Sequence, residues 1–192
     1  MSTEAITKNK SLFSTTGLVL MALFAAITCV LAPISIPIGP VPISITMLVL
    51  FISVYVLGWK RGTITYIVYL LIGMVGLPVF SGWEGGLGKL AGPTGGYLIG
   101  FIPMVIVCGL AVEKGYTMSR GAGIVVSVAG MVVGTAIAYA FGTVWFCVST
   151  GTGVMAALSL CVFPFLIGDA AKIIIAAIVG PLIGIQIRKL EK

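Results

Sequence analysis

Two ionisable residues, Asp169 and Lys172, interrupt the apolar stretch FPFLIGDAAKIIIAAIVG. Three positions apart on a helix, they share one face. A charged side chain held in hydrocarbon costs about 3 kcal/mol or more, so such residues turn toward a bundle interior or a wet cavity. Two readings fit the spacing. In one, the charges neutralise each other and pin the last helix to its neighbours. In the other they form a polar ligand site, with Lys172 receiving an anion such as a carboxylate and Asp169 accepting from N–H donors. Asp169 follows Gly168 at the start of the helix, where a carboxylate also suits the macrodipole. A capping role alone accounts for Asp169 and leaves Lys172 unexplained.

The second candidate is Gly92-Pro93-Thr94-Gly95-Gly96-Tyr97. Consecutive glycines let backbone approach a partner closely and leave N–H groups free to bond a ligand. The spacing has neither the Walker lysine nor the dinucleotide fingerprint, so a nucleotide loop is not expected. A tight turn opening the next helix is the plainer reading. Trp83, Glu84 and Tyr97 add aromatic and polar surface nearby, although Trp and Tyr also serve as interfacial anchors. Without histidine, no Ser/His/Asp or Cys/His set can be assembled. No carboxylates lie close in sequence for acid–base work. Cys29, Cys108, Cys147 and Cys161 are scattered through apolar runs and read as small hydrophobes, so neither a metal nor a cofactor is expected. The chain does not read as an enzyme, and any ATP hydrolysis would belong to a partner.

The elements that position these residues follow from composition. Of 192 residues, 59% are hydrophobic and 8% are charged; an ordinary soluble domain carries about 25% charged residues. The mean hydropathy is +1.23. A soluble enzyme or a nucleic-acid-binding module is excluded, because its surface would be one apolar patch. The bilayer is the solvent. At about 20 residues per span, the chain accommodates about six spans, giving an all-α, polytopic membrane protein with six transmembrane helices in a single domain.

The expected spans are 15–32, 43–58, 63–77, 96–112, 121–144 and 169–187. Residues 1–14 read as a retained cytoplasmic tail rather than a cleaved signal, and 188–192 as a second cytoplasmic tail. The loop PISIPIGPVP, with four prolines in ten residues, cannot be helical and is held extended. Residues 145–168, broken by Ser-Thr-Gly-Thr-Gly and Pro164, read as a partly re-entrant segment covered by protein. With both ends inside, Lys8, Lys10, Lys60, Arg61, Lys114, Arg120, Arg188, Lys189 and Lys192 lie on the cytoplasmic side. Only Lys89 falls in an outer loop, and Lys172 within a span, as the positive-inside rule requires for six spans. The net charge of +6 therefore reflects topology rather than nucleic acid. The proline loop, the glycine-rich loop and the approach to the last span share the outer side, like a lid over a pocket.

The order of motifs is specific. VPISIT is followed by GLPVFSGWEGGLGKLAGPTGGYLIGF and then by FPFLIGDAAK. Over nearly its whole length the chain resembles the BioY family, the biotin-binding S components of energy-coupling-factor (ECF) transporters. The resemblance implies an S-component-like six-helix bundle in the cytoplasmic membrane of a prokaryote, binding biotin near the outer side. It also implies partners, a transmembrane coupling protein and two ATPase subunits. Asp169 and Lys172 match the family's polar ligand pair, while Tyr97 and the Gly95-Gly96 turn match its glycine-rich lining. Ala22 and Ala26 match the small-residue motif used for docking on the coupling protein; small-xxx-small pairs of this kind let helices approach closely. Two positions depart from the pattern. Thr46 stands where the family commonly has glutamine, and Trp83-Glu84 where it often has a small residue followed by Arg or Asn. Glu84 would repel a carboxylate, which shifts the expected anion contact toward Lys172. Outside the resemblance, the residues also allow an ion-coupled secondary transporter or channel using Asp169, or a non-transporting assembly subunit.

Overall fold

The computed structural model describes residues 14–38 and 41–190. Most of the two expected tails, with Lys8, Lys10 and Lys192, lies outside the described residues. The chain is mostly helical: α1 (Thr15–Leu31), β1 (Ser35–Ile38), β2 (Val41–Ser44), α2 (Thr46–Met74), α3 (Leu87–Ala91), α4 (Gly95–Tyr116), α5 (Arg120–Thr150), α6 (Val154–Cys161) and α7 (Leu166–Leu190). Within these residues, α2, α4, α5 and the Leu166–Ile187 part of α7 are long and apolar enough to cross a membrane, and α1 is a shorter apolar helix of 17 residues.

The all-α expectation needs one amendment. The proline loop is extended, as its prolines require, but its two halves pair as an antiparallel hairpin, with Pro37 opposite Pro42 and Ser35 opposite Ser44. Proline lacks the N–H of a central strand and is tolerated where the other edge is unpaired.

The α2 range contains a chain reversal. Gly58 has φ 74° and ψ −177°, a conformation essentially restricted to glycine. A Cβ on Gly62 would lie 3.9 Å from Val54 Cα, whereas eight residues of unbroken helix span about 12 Å. The arms 46–57 and 59–74 therefore fold back on each other, where the sequence places a break between two spans. Glu113 of α4 fixes this corner by accepting a hydrogen bond from the Trp59 backbone N–H at 3.2 Å.

The helices α4 and α5 pack along each other through small residues. A Cβ on Gly115 would come within 2.7 Å of the Gly123 carbonyl oxygen, and one on Gly123 within 2.4 Å of that of Gly115. Bare backbone surfaces meet there, as is common where lipid removes the hydrophobic drive between helices. The central core holds Phe51, Tyr66, Tyr69, Phe80, Met104 and Met131, each essentially inaccessible. Two of its buried phenols bond across the core: Tyr66 donates to the Leu98 carbonyl at 2.7 Å and Tyr69 to that of Val79 at 3.0 Å. Tyr69 also meets the Phe80 ring edge-on. These contacts anchor the glycine-rich loop to the second arm of α2. The outward faces remain apolar, with Val19, Val125, Val148, Ile167 and Ile178 exposed, as a lipid solvent permits.

Several expected boundaries move: α4 runs on past 112 to Tyr116, and α7 begins at Leu166 rather than 169. Helix α5 continues past 144 to Thr150 and ends at Gly151, in the left-handed region at φ 71°. The following stretch is a short helix and a turn, and it is not covered by protein throughout. Ala157, Cys161 and Phe165 turn inward, while Val154, Met155 and Phe163 are exposed. Helix α7 continues through 188–190, which the sequence reads as tail.

Candidate functional site

The first turn of α7 carries the site. The Asp169 N–H bonds the Phe165 carbonyl at 2.8 Å, so the turn at 162–165 feeds directly into the helix. From one face of that helix, Lys172 donates to Asp169 Oδ1 at 2.8 Å. Tyr139 of α5 donates its hydroxyl to Oδ2. Asp169 is buried and Lys172 largely shielded, with side-chain exposures of 6% and 14%. A carboxylate offers about four acceptor positions and an ammonium three donors. Both groups keep capacity after pairing, and both line one cavity.

This cavity is bounded by elements distant in sequence. Strand β2 and the start of α2 contribute Val41, Pro42, Ser44 and Met47; the glycine-rich segment contributes Phe80, Ser81, Lys89 and Thr94; α4 contributes Tyr97, Leu98 and Phe101. Ala138 and Tyr139 of α5, Cys161 and Phe165 complete the wall with Asp169 and Lys172. Most of the wall is apolar and aromatic. Its polar groups are few, as in sites that bury a largely apolar ligand and fix its orientation at a few points.

Of the residues singled out in the sequence, Asp169, Lys172, Tyr97 and Thr94 meet at this cavity. Tyr97 is held there from two sides. Its hydroxyl donates to the Cys161 carbonyl at 2.9 Å, and its ring lies against Gly142, where a Cβ would come within 2.3 Å. Thr94 precedes α4 without a side-chain capping bond.

The other five residues expected to touch the ligand are not among the lining residues. A Cβ on Gly95 would meet the Leu90 carbonyl oxygen at 1.7 Å, and one on Gly96 would meet Trp145 Cβ at 2.2 Å. These glycines admit close packing of the loop and of α5, and so set where Tyr97 stands. Trp83 is 65% exposed and holds φ 61°, in a turn closed by a bond from the Phe80 N–H to the Glu84 carbonyl. Glu84 forms an ion pair with Lys89 at 3.0 Å. Thr46 is buried and accepts a hydrogen bond from the Ser44 hydroxyl at 3.0 Å, orienting a side chain that does line the cavity. Ala22 and Ala26 are exposed on α1 and lie outside the cavity wall.

Sequence reasoning missed Tyr139, Lys89, Ser44 and Ser81. Tyr139 carried a usable signal, a lone phenol within the small-residue run TAIAYAFG. Lys89 reads as an ordinary loop charge, and nothing local marks the two serines.

Comparison with known proteins agrees with this architecture. A model described as "BioY family" matches residues 4–189. The chain is 40% identical over 174 residues to the "Biotin transporter BioY" of Thermotoga maritima, covering 91% of this chain and 96% of the relative. It is 39% identical over 175 residues to the protein of the same name from Rhizobium etli, covering 87% and 92%. A crystal structure described as the S-component for biotin from an ECF-type ABC transporter superposes with a TM-score of 0.78 at 25% identity, covering 88% of this chain and 90% of that one.

Proposed function

This chain belongs to the BioY family, and from that premise we propose that it is the biotin-specific substrate-binding subunit of an ECF-type vitamin importer. The observation that carries the reading is the union, in one cavity, of apolar and aromatic walls with the shielded Asp169–Lys172 pair. Biotin combines an apolar fused bicycle with a ureido group, which offers two N–H donors and one carbonyl acceptor. Asp169 receives the N–H groups and Lys172 donates to the carbonyl. Tyr139 holds the carboxylate in orientation, and Phe165, Phe101 and Tyr97 supply apolar contact.

The chain works as six transmembrane helices, with the arms of α2 as the second and third and both termini on the cytoplasmic side. The distribution of Lys and Arg supports this orientation. The cavity then faces outward beneath the β1–β2 hairpin and the glycine-rich loop. The importer's energy comes from partners, a transmembrane coupling protein and two ATPase subunits. Ala22 and Ala26 form a low, exposed strip on α1 suited to close helix contact, and we assign the docking face there. Binding of labelled biotin to the purified chain without partners tests the reading. Saturable binding is expected, and its absence would return the Asp169–Lys172 pair to a purely structural role.

A further inference from the structure

We propose that Lys89 is the carboxylate subsite of this cavity and that Glu84 is its exchangeable partner. The proposal rests on the biotin reading above and reassigns the anion contact that the sequence gives to Lys172. At the α7 end, Lys172 is already neutralised by Asp169, which also accepts from Tyr139. A ligand carboxylate placed there would meet the Asp169 charge in a poorly hydrated site, where like charges repel strongly. The Asp169–Lys172 pair suits a neutral group with both donors and an acceptor. The anionic end of the ligand therefore needs another cation.

Lys89 is the other cation among the residues lining the cavity. It sits on α3, on the glycine-rich segment, and its side chain is 13% exposed. Its partner differs from Asp169 in the property that matters. The Glu84 side chain is 57% exposed, so water takes over its charge when Lys89 turns to another anion, and Glu84 is not stranded. Breaking the shielded pair would strand a charge. A ligand carboxylate thus exchanges for Glu84 at Lys89, whereas it cannot exchange for Asp169 at Lys172. In the empty state Glu84 keeps Lys89 neutralised, so Glu84 acts as a competitor that the ligand must displace.

Biotin and its neutral carboxamide, measured side by side on the purified full chain, separate the possibilities. The chain is expected to prefer biotin by about tenfold or more, the value of one charge-assisted hydrogen bond. Lys89→Met should bring biotin down to the affinity of the carboxamide and leave carboxamide binding unchanged, which also reports that the variant is folded. Glu84→Gln should strengthen biotin binding several-fold without altering the carboxamide. Equal affinity of the unsubstituted chain for both ligands would overturn the proposal, as would a Lys89→Met variant that weakens both alike or neither. Binding of neither ligand by the unsubstituted chain would instead sink the biotin reading itself.

Discussion

The Tyr97 hydroxyl donates to the backbone carbonyl of Cys161 across 64 positions of sequence, joining the first turn of α4 to the end of α6 at 2.9 Å. This bond closes the part of the cavity wall where Val41 of the hairpin packs with Tyr97, Cys161 and Phe165, and the segment it holds leads straight into Asp169. Tyr97→Phe keeps the ring against Gly142 and removes only the donor. The expected loss is about 0.5–1.5 kcal/mol in stability, read as a lower thermal unfolding midpoint in detergent. Biotin affinity should fall by a similar factor, since the Cys161–Phe165 segment is then free to shift.

Gly142→Val tests the same wall from the other side. A Cβ at this position would come within 2.3 Å of the Tyr97 ring, and overpacking of this kind typically costs about 1–3 kcal/mol. Tyr97 would be pushed into the cavity. Biotin binding should therefore weaken more in Gly142→Val than in Tyr97→Phe. Titration of both variants with labelled biotin checks the order, and the reverse order would remove Tyr97 from the binding wall.

Asp169 and Lys172 should behave as one unit. Asp169→Asn leaves Lys172 shielded from water without its counter-charge, and Lys172→Met leaves Asp169 with Tyr139 as a remaining donor. Each substitution should weaken biotin by about 1.5–3 kcal/mol, since each removes a charged hydrogen bond. The double variant should be more stable than the sum of the single losses, because it strands neither charge. A double-mutant cycle on unfolding and on binding separates the two roles. Lost stability with unchanged affinity would make the pair structural.

Legibility in the sequence followed the cost of each feature. Asp169 and Lys172 stood out because a charge within an apolar run is expensive and needs a reason. The reversal between the arms of α2 was readable because WKRG interrupts the apolar pattern. The strand pairing of the proline loop was not, since proline fixes φ without saying which neighbour supplies a hydrogen bond. Gly95 and Gly96 show a further limit. A glycine that admits a ligand and one that admits a neighbouring carbonyl look the same in sequence, and only the 1.7 Å approach to Leu90 tells them apart. Lys89 was obscured for the opposite reason, because a lysine in a polar loop costs nothing and attracts no notice until the fold brings α3 to the cavity.

The corner at Gly58 makes a prediction about assembly of the fold. Its φ of 74° with ψ −177° costs a residue with a side chain about 1–3 kcal/mol. A Cβ there would also come within 2.3 Å of Glu113 Oε1, the atom that caps the second arm at Trp59. Gly58→Ala should therefore lower the unfolding midpoint while leaving biotin affinity of the folded fraction unchanged, because the cavity residues lie elsewhere. Reduced affinity at full occupancy of the folded state would tie this corner to the site.

Ala22 and Ala26 give the prediction that separates capture from transport. Both side chains are exposed on α1, four residues apart on one face, and neither lines the cavity. Leucine at either position adds bulk to a strip whose value is close approach, without entering the core. Ala22→Leu and Ala26→Leu should leave biotin binding by the isolated subunit unchanged. Co-purification with the coupling protein and ATP-dependent biotin uptake should both fall sharply. If both leucine variants still assemble and transport, the docking face lies on another part of the bundle, and the apolar residues exposed on α7 become the next surface to substitute.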